Sequence, residues 1–96
     1  LASAVVSEHV VGTVLLADDH PGARAPSYLL RIDVGGGRTV EASVDRSSYE
    51  RESLLGRQVV VALDGDDATV VAAHSHAAGR VLLAPDRNVA PGTVVS

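Results

Sequence analysis

The chain has 96 residues, contains no cysteine and carries a formal net charge of −4 at pH 7. A chain of this length forms one small domain, which buries about 60–65% of its unfolded surface. The acidic balance argues against general binding to nucleic acids or membranes, because such binding depends on clustered positive charge. Without cysteine, the protein has no disulfide, no thiolate metal site and no thiol catalysis.

The remaining composition predicts a β-rich, cytoplasmic protein with an aliphatic core. Tyr28 and Tyr49 are the only aromatic residues, so Val, Leu and Ala must fill the interior, and a Val-rich chain favours strands. No apolar run approaches the ~20 residues that cross a bilayer, and the N-terminus lacks the pattern of a secretory leader, so we expect no membrane contact. Because the chain begins at Leu1 rather than Met, we expect its natural N-terminus to lie outside this sequence.

Three strands are predicted in the first half of the chain. Val10 to Ala17 is apolar around Gly12 and is followed by a loop of turn-forming residues, Asp18 to Pro26. Apolar and polar residues then alternate from Tyr28 to Val34, which is the pattern of a half-buried strand. Gly35 to Gly37 predicts a hairpin turn, because glycine accepts the positive φ angles of tight turns. The third strand alternates in the same way, with apolar residues at Val40, Ala42 and Val44.

A short helix is predicted after the third strand. Ser47 can cap its N-terminus, and Glu50 stands three residues further on, as a capping box requires. Leu54 and Leu55 provide its apolar face, and Gly56 is placed to end it.

Further strands are predicted in the second half. Gln58 to Leu63 is a continuous apolar strand with a turn at Asp64-Gly65 behind it. Two shorter strands are expected near Ala68–Ala73 and Arg80–Ala84, and Asn88–Ser96 forms a closing segment with a turn at Pro91-Gly92. Three strands, a short helix and then two or more strands predict an all-β fold: a five-stranded OB-fold barrel with the helix between strands 3 and 4, and residues 1–96 as a single domain.

Three sequence blocks carry a resemblance to a known family: VVGTVLLADDHPGARAPSYLLRIDVG (Val10–Gly35), LLGRQVVVALD (Leu54–Asp64) and VLLAPDRNVAPGT (Val81–Thr93). They resemble the tRNA-binding-domain family, specifically its small free-standing CsaA-like members. They occur in the order and register of the family and cover about half of the chain. The resemblance implies an OB-fold, a homodimer built partly from segments flanking the barrel, binding to the outer corner of folded tRNA, and a chaperone role for exported or unfolded protein clients.

The chain also departs from the family pattern. Val10-Val11 stands where the family has a basic residue, EASVD (Glu41–Asp45) replaces a Ser-Ser-Ala-Gln-like stretch, and the acidic DGDDA (Asp64–Ala68) replaces a longer, partly basic segment. Two functions therefore stay open. One is a non-catalytic tRNA-binding or CsaA-like export-chaperone module. The other is a diverged dimeric OB scaffold that has lost RNA binding and recognises a protein or small ligand.

Four arginines of the first loop and the following strands are the candidate RNA-binding residues. We expect Arg24, Arg31, Arg38 and Arg46 to form one modest patch, although nearby carboxylates would offset its charge. Those carboxylates belong to Asp18, Asp19, Asp33, Glu41 and Asp45. Arg24 itself has two interpretations: a contact with RNA phosphate or a partner carboxylate, or a structural clamp that holds the Pro21–Pro26 loop.

No motif in the sequence points to catalysis or to a cofactor. There is no nucleophile elbow and no basis for a triad, so we expect no enzyme activity, no catalytic residue and no cofactor. His74 and His76 have metal-like spacing on a strand, but a structural site needs four ligands, so we expect exposed histidines; a histidine metal site is a third alternative. Asp64 to Asp67 fits a hairpin turn better than a calcium loop.

Overall fold

The computed structural model describes residues 8–22, 24–46 and 49–96. This part of the chain contains seven strands and one short helix. In chain order they are β1 (Glu8–Asp19), β2 (Ser27–Asp33), β3 (Thr39–Asp45), α1 (Arg51–Leu54), β4 (Gln58–Asp64), β5 (Asp67–Val70), β6 (Ala72–Ser75) and β7 (Gly79–Leu82). Across these residues, no helix is long and apolar enough to cross a membrane.

Five of the strands form an antiparallel sheet that curls into a nearly closed barrel. The strand order is β3-β2-β1-β4-β5, and β3 and β5 come together at the two edges of the sheet. Strands β6 and β7 form a separate two-stranded hairpin. Helix α1 lies between β3 and β4 in the chain, so the prediction of an OB-type barrel with a helix at this point is confirmed.

Strand β1 joins the two halves of the barrel and is longer than predicted. Residues Glu8 to Thr13 pair with β4, while Thr13 to Asp19 pair with β2. The register against β2 shifts between Val14 and Leu16, so Leu15 is the extra residue of a β-bulge. At Gly12 a Cβ atom would overlap the side chain of Ile32, which makes glycine necessary where the inner face is most crowded.

The core is aliphatic, as the composition requires. The predicted alternation in β2 and β3 is observed, with every second residue pointing into the barrel. Tyr28 lies on the inward side with Leu30 and Ile32, is half-buried and packs against the core. The buried core residues are Val10, Val14, Ala17, Leu30, Ile32, Val34, Val40, Ala42, Val44, Leu54, Val59 and Val61.

The helix differs from the predicted capping box. Helix α1 begins at Arg51 with Glu50 in the N-cap position, and the Glu50 side chain makes no capping hydrogen bond. Ser47, the expected cap, lies outside the described residues. Contacts with the barrel hold the helix in place: Leu54 is fully buried, and the Gly56 amide donates to the Val14 carbonyl oxygen at 2.9 Å. Gly56 has a φ of 75° and ends the turn as predicted.

The fifth predicted strand is divided at Val71, which gives β5 and β6. The Val71 amide donates to the Val60 carbonyl oxygen at 2.9 Å, and the Leu83 amide donates to the Val71 carbonyl oxygen at 3.2 Å. The chain thus passes from pairing with β4 to pairing with β7. The last predicted strand, near Arg80–Ala84, corresponds to β7 and begins one residue earlier.

The C-terminal segment pairs with the edge of β1 that β2 leaves free. The Gly92 amide donates to the Val11 carbonyl oxygen at 2.7 Å, and the Val11 amide donates to the Thr93 carbonyl oxygen at 2.9 Å. Val94 forms a bridge with Val10. The predicted closing segment is therefore bound to the barrel as an additional short edge.

Gln58 fastens this segment to the barrel through its side-chain amide. Its Nε2 donates to the Val89 carbonyl oxygen at 2.7 Å and to the Thr13 hydroxyl at 3.1 Å, while its Oε1 accepts from the Val89 amide at 3.0 Å. The side chain is half-buried, so water replaces these partners poorly.

Gln58→Glu is expected to lower the free energy of unfolding by about 1–3 kcal/mol, because a carboxylate cannot donate to the Val89 carbonyl or the Thr13 hydroxyl. Urea unfolding measures this loss. Thr69→Glu adds the same charge at an exposed position of β5 and is the control. Equal losses in the two variants would show that the added charge, rather than the lost hydrogen bonds, is responsible.

Candidate nucleic-acid interface

In OB barrels, oligonucleotides bind the outer face of strands 2 and 3 together with the loops that follow strands 1 and 4. In this chain the strand register places the outward residues in cross-strand rows. One row contains Leu16, Arg31 and Glu41, one contains Asp18, Leu29 and Ser43, and one contains Thr13, Asp33 and Thr39. This face therefore carries more acidic than basic side chains.

Arg31 and Arg38 lie toward the β4–β5 turn and are engaged with neighbouring groups. The Arg31 guanidinium lies 3.9 Å from the Glu41 carboxylate, and both side chains are about half exposed. Arg38 donates to the Gly65 carbonyl oxygen at 3.3 Å. Together with Glu41 and Asp66 they line one shallow cleft. Two carboxylates therefore accompany the two guanidinium groups.

Arg24 and Arg46 line a different cleft, at the opposite end of β2 and β3. This cleft has a volume of about 470 Å³. Arg46 makes an exposed ion pair with Asp19, at 3.2 Å between Nη1 and Oδ1. Arg24 is exposed and has no hydrogen bond or ion pair within the described part of the chain. We call this the arginine cleft; its walls are Asp19, His20, Pro21, Arg24, Ala25, Pro26, Ser27 and Arg46.

The loop around Arg24 is held by other groups. The His20 amide donates to the Ser27 carbonyl oxygen at 3.0 Å, and the Arg46 amide donates to the Pro26 carbonyl oxygen at 3.1 Å. The Ser27 hydroxyl donates to the Ala25 carbonyl oxygen at 3.0 Å. Within the described residues, the interpretation of Arg24 as a structural clamp thus has no contact to support it.

The four arginines lie in two places rather than in one patch, which differs from the expected arrangement. Arg31 lies in the middle of the outer face and Arg38 at one end of it, while Arg24 and Arg46 lie beyond the other end, past the row of Leu29 and Ser43. The contact of these arginines with RNA stays a prediction. The separation follows from the strands, because Arg24 and Arg46 are at one end of β2 and β3 and Arg38 is at the other.

Both tyrosines of the chain line a second cleft beside Arg46, an arrangement that sequence spacing did not indicate. Tyr49 makes structural contacts within the protein. Its hydroxyl accepts a hydrogen bond from the Leu82 amide at 2.9 Å, and the Arg57 guanidinium lies 5.3 Å from its ring centre. Glu50 and Asp19 also line this cleft. A base-stacking platform in a cationic groove is therefore not formed here, because the Tyr49 ring is engaged and the carboxylates outnumber the guanidiniums of Arg46 and Arg51.

The histidine pair and the acidic turn have ordinary structural positions. His74 lies near the end of β6, and His76 lies in the turn between β6 and β7. Both histidines are exposed. Within the described ranges, no group of three or more His, Asp or Glu residues is placed to hold a metal ion. Asp64 pairs with Asp67 across the β4–β5 turn, and Gly65 has a φ of 61°, so this stretch is a hairpin turn.

This barrel, with its helix position and paired C-terminal segment, has the fold of CsaA-like tRNA-binding-domain proteins. Chaperone CsaA from Bacillus anthracis str. Ames is similar with a TM-score of 0.81 and 27% identity, covering 94% of this chain and 91% of that chain. The CsaA chaperone protein from Picrophilus torridus has a TM-score of 0.81 and 21% identity, covering 94% and 92%.

A third similar structure is a MetRS-related protein from Pyrococcus horikoshii, with a TM-score of 0.76 and 15% identity over 94% of this chain and 90% of that chain. The two similarities at 21% and 15% identity show the fold alone. The sequence matches no protein-family model, and it matches no curated protein.

Proposed function

We propose that this protein is a non-catalytic, CsaA-like member of the tRNA-binding-domain family and that it binds tRNA through the arginine cleft. The similarity to chaperone CsaA from Bacillus anthracis, which extends over nearly the whole of both chains, supports the family assignment. The observation that carries the RNA-binding part is Arg24, an exposed guanidinium in a cleft shared with Arg46.

The arginine cleft fits a phosphate backbone better than the outer face does. A guanidinium offers a planar fork of donors that matches phosphate oxygens. Arg46 is free to exchange its partner, because its ion pair with Asp19 is exposed and such pairs contribute only about 0–1 kcal/mol. Phosphate contacts made by arginine carry no sequence information, so binding would depend on the shape of the folded RNA.

We further propose that the protein acts as a homodimer. Val94 and Val95, on the C-terminal segment that pairs with β1, remain 61% and 42% exposed. A second copy packed against this segment would remove that apolar surface from water. A dimer would also present two arginine clefts to one folded tRNA, which raises the affinity beyond that of a single cleft.

A second function, binding of unfolded or exported protein clients, has support of its own. Leu15 and Leu16 are exposed side by side on the outer face of β1, where a monomeric domain usually presents polar residues. This chaperone-type role needs no RNA. It also corresponds to the diverged OB scaffold that recognises protein, if the arginine cleft proves inactive.

The RNA-binding proposal is tested with paired charge reversals. Fluorescently labelled tRNA is titrated with the wild type, with Arg24→Glu/Arg46→Glu, and with Arg31→Glu/Arg38→Glu, which changes the net charge equally. We expect the first pair to weaken binding by about a hundredfold and the second by less than about tenfold. Circular dichroism establishes that each variant is folded.

Two outcomes would count against this proposal. Equal losses in both double variants would show that tRNA responds only to net charge and not to the arginine cleft. Absence of saturable binding by the wild type at low salt would remove RNA binding altogether, because electrostatic attraction is screened least there.

A further inference from the structure

We propose that the outer face of β1, β2 and β3 is a docking surface for a positively charged, apolar segment of another polypeptide. We call this surface the acidic face. It is separate from the arginine cleft, and it rests on the protein-binding function proposed above, for which it names the site and the chemistry of the bound segment. Its central residues are Leu15, Leu16, Asp18, Leu29, Asp33 and Glu41.

The apolar part of the acidic face comes from the bulge in β1. Leu15 is 46% exposed and Leu16 is 49% exposed, and they are consecutive because the bulge interrupts the alternation of the strand. Leu16 lies opposite Arg31 on β2, which makes the half-buried Leu29 its diagonal neighbour on the same face. Leu16 therefore has one leucine beside it in the chain, Leu15, and one beside it across the strands, Leu29, on a surface that contacts water.

The charge of this face determines which charge a partner segment must carry. The outward positions in the rows of Thr13, Leu16 and Asp18 carry three carboxylates, those of Asp18, Asp33 and Glu41, against the single guanidinium of Arg31. Arg31 is already close to Glu41, at 3.9 Å. Such a surface repels phosphate groups and attracts Lys and Arg side chains.

A partner that lies on this face meets its centre through side chains. Strand β2, in the middle of the face, is hydrogen-bonded to β1 on one side and to β3 on the other, so its own backbone cannot accept an added strand. The contacts expected there are leucines of the protein against apolar residues of the segment, and carboxylates against its cations. The β1 stretch Thr13–Asp18 is about 17 Å long, which about five extended residues would cover.

The test uses labelled peptides of about ten residues, long enough to exceed this stretch. One peptide alternates Leu and Lys, and the other alternates Leu and Glu. We expect the Leu-Lys peptide to bind the wild type saturably and more weakly as salt increases, and the Leu-Glu peptide not to bind. Leu16→Ser should weaken binding of the Leu-Lys peptide. The variant should remain folded, because Leu16 is exposed.

Charge reversal locates the peptide on the acidic face. We expect Asp18→Lys/Glu41→Lys to weaken binding of the Leu-Lys peptide by about tenfold or more. The control is Glu50→Lys/Glu52→Lys, which makes the same charge change at the start of α1 and should have less than about a threefold effect. Equal losses in the two double variants would overturn the proposal, because only net charge would then matter.

The outcome for this face can be distinguished from that for RNA. Asp18→Lys/Glu41→Lys should leave tRNA binding unchanged or stronger, whereas Arg24→Glu/Arg46→Glu should leave peptide binding unchanged or stronger. Absence of peptide binding at low salt overturns the docking surface whatever the tRNA result. If sedimentation shows that Leu16→Ser separates a dimer into monomers, the occupant of this face is a second copy, and the proposal is wrong.

Discussion

Gly35→Ala is expected to lower the free energy of unfolding by about 2–4 kcal/mol, because the added methyl group meets backbone that cannot move aside. Gly35 has a φ of 86°, a conformation that other residues rarely adopt. A Cβ atom at this position overlaps the carbonyl oxygen of Pro91. Pro91 is fixed, since the following amide of Gly92 donates to the Val11 carbonyl oxygen at 2.7 Å.

Gly36→Ala is the matched control for this substitution. Gly36 also has a positive φ, 63°, but the space around it is open. The Gly36→Ala variant should therefore lose only about 1–2 kcal/mol of unfolding free energy, which is the cost of a positive φ for alanine. Urea unfolding of the two variants gives the difference between them. If both lose the same stability, the close packing of the C-terminal segment against the β2–β3 turn is not part of the folded state.

Leu54→Ala is expected to lower the free energy of unfolding by about 2–5 kcal/mol, through lost burial and the cavity that remains. Leu54 is 0% exposed and belongs to the barrel core, although its helix has only four residues. One helical turn is unstable alone, so its position depends on tertiary contacts. Without the Leu54 side chain, we expect the link from β3 to β4 to lose its anchor in the core.

Leu55→Ala is the control, since the neighbouring leucine is 48% exposed. Its truncation should cost less than about 1 kcal/mol. Thermal unfolding followed by circular dichroism measures both variants. A loss at Leu55 as large as that at Leu54 would contradict the assignment of Leu54 as the anchoring side chain and would indicate that Leu55 is covered in solution.

The parts of the fold that sequence reasoning predicted depend on local patterns. The alternation in β2 and β3 is set by a face toward the barrel and a face toward water, and it places Leu30 and Ile32 inside as predicted. The helix position between the third and fourth strands follows from the change of periodicity and from Gly56. These features need no knowledge of distant residues.

The features that differ from the predictions depend on contacts between distant residues. The division at Val71 follows from hydrogen bonds to Val60 and Leu83. The helix begins at Arg51 with Glu50 as its N-cap, and its Leu54 side chain is buried in a core built from distant strands. No sequence window contains these partners together, so local propensity could not decide between the alternatives.

The candidate site shows the same division. The sequence identified the four arginines, but only the strand register shows that Arg24 and Arg46 share a cleft while Arg31 faces Glu41. The Asp19 carboxylate that pairs with Arg46 lies at the end of β1, far away in the chain. The meeting of Tyr28 and Tyr49 in one cleft also had no signal in the sequence.

The two proposed surfaces differ in their local charge. Arg24 and Arg46 share a cleft at one end of β2 and β3, whereas carboxylates outnumber the single guanidinium of Arg31 on the outer face of the sheet. A protein with a net charge of −4 can attract phosphate only at a confined place. We therefore expect RNA binding, where it occurs, to involve few phosphates and to depend strongly on the two arginines.

The salt dependence of tRNA binding by the wild-type protein tests this account most directly. Fluorescence anisotropy of labelled tRNA, measured from low to physiological salt, gives the slope of the logarithm of the affinity against the logarithm of the salt concentration. We expect a slope of about −2 if one arginine cleft binds, and about −4 if a dimer uses both. If there is no saturable binding at low salt, or if salt does not change the binding, the proposal that the arginine cleft binds tRNA phosphates is contradicted.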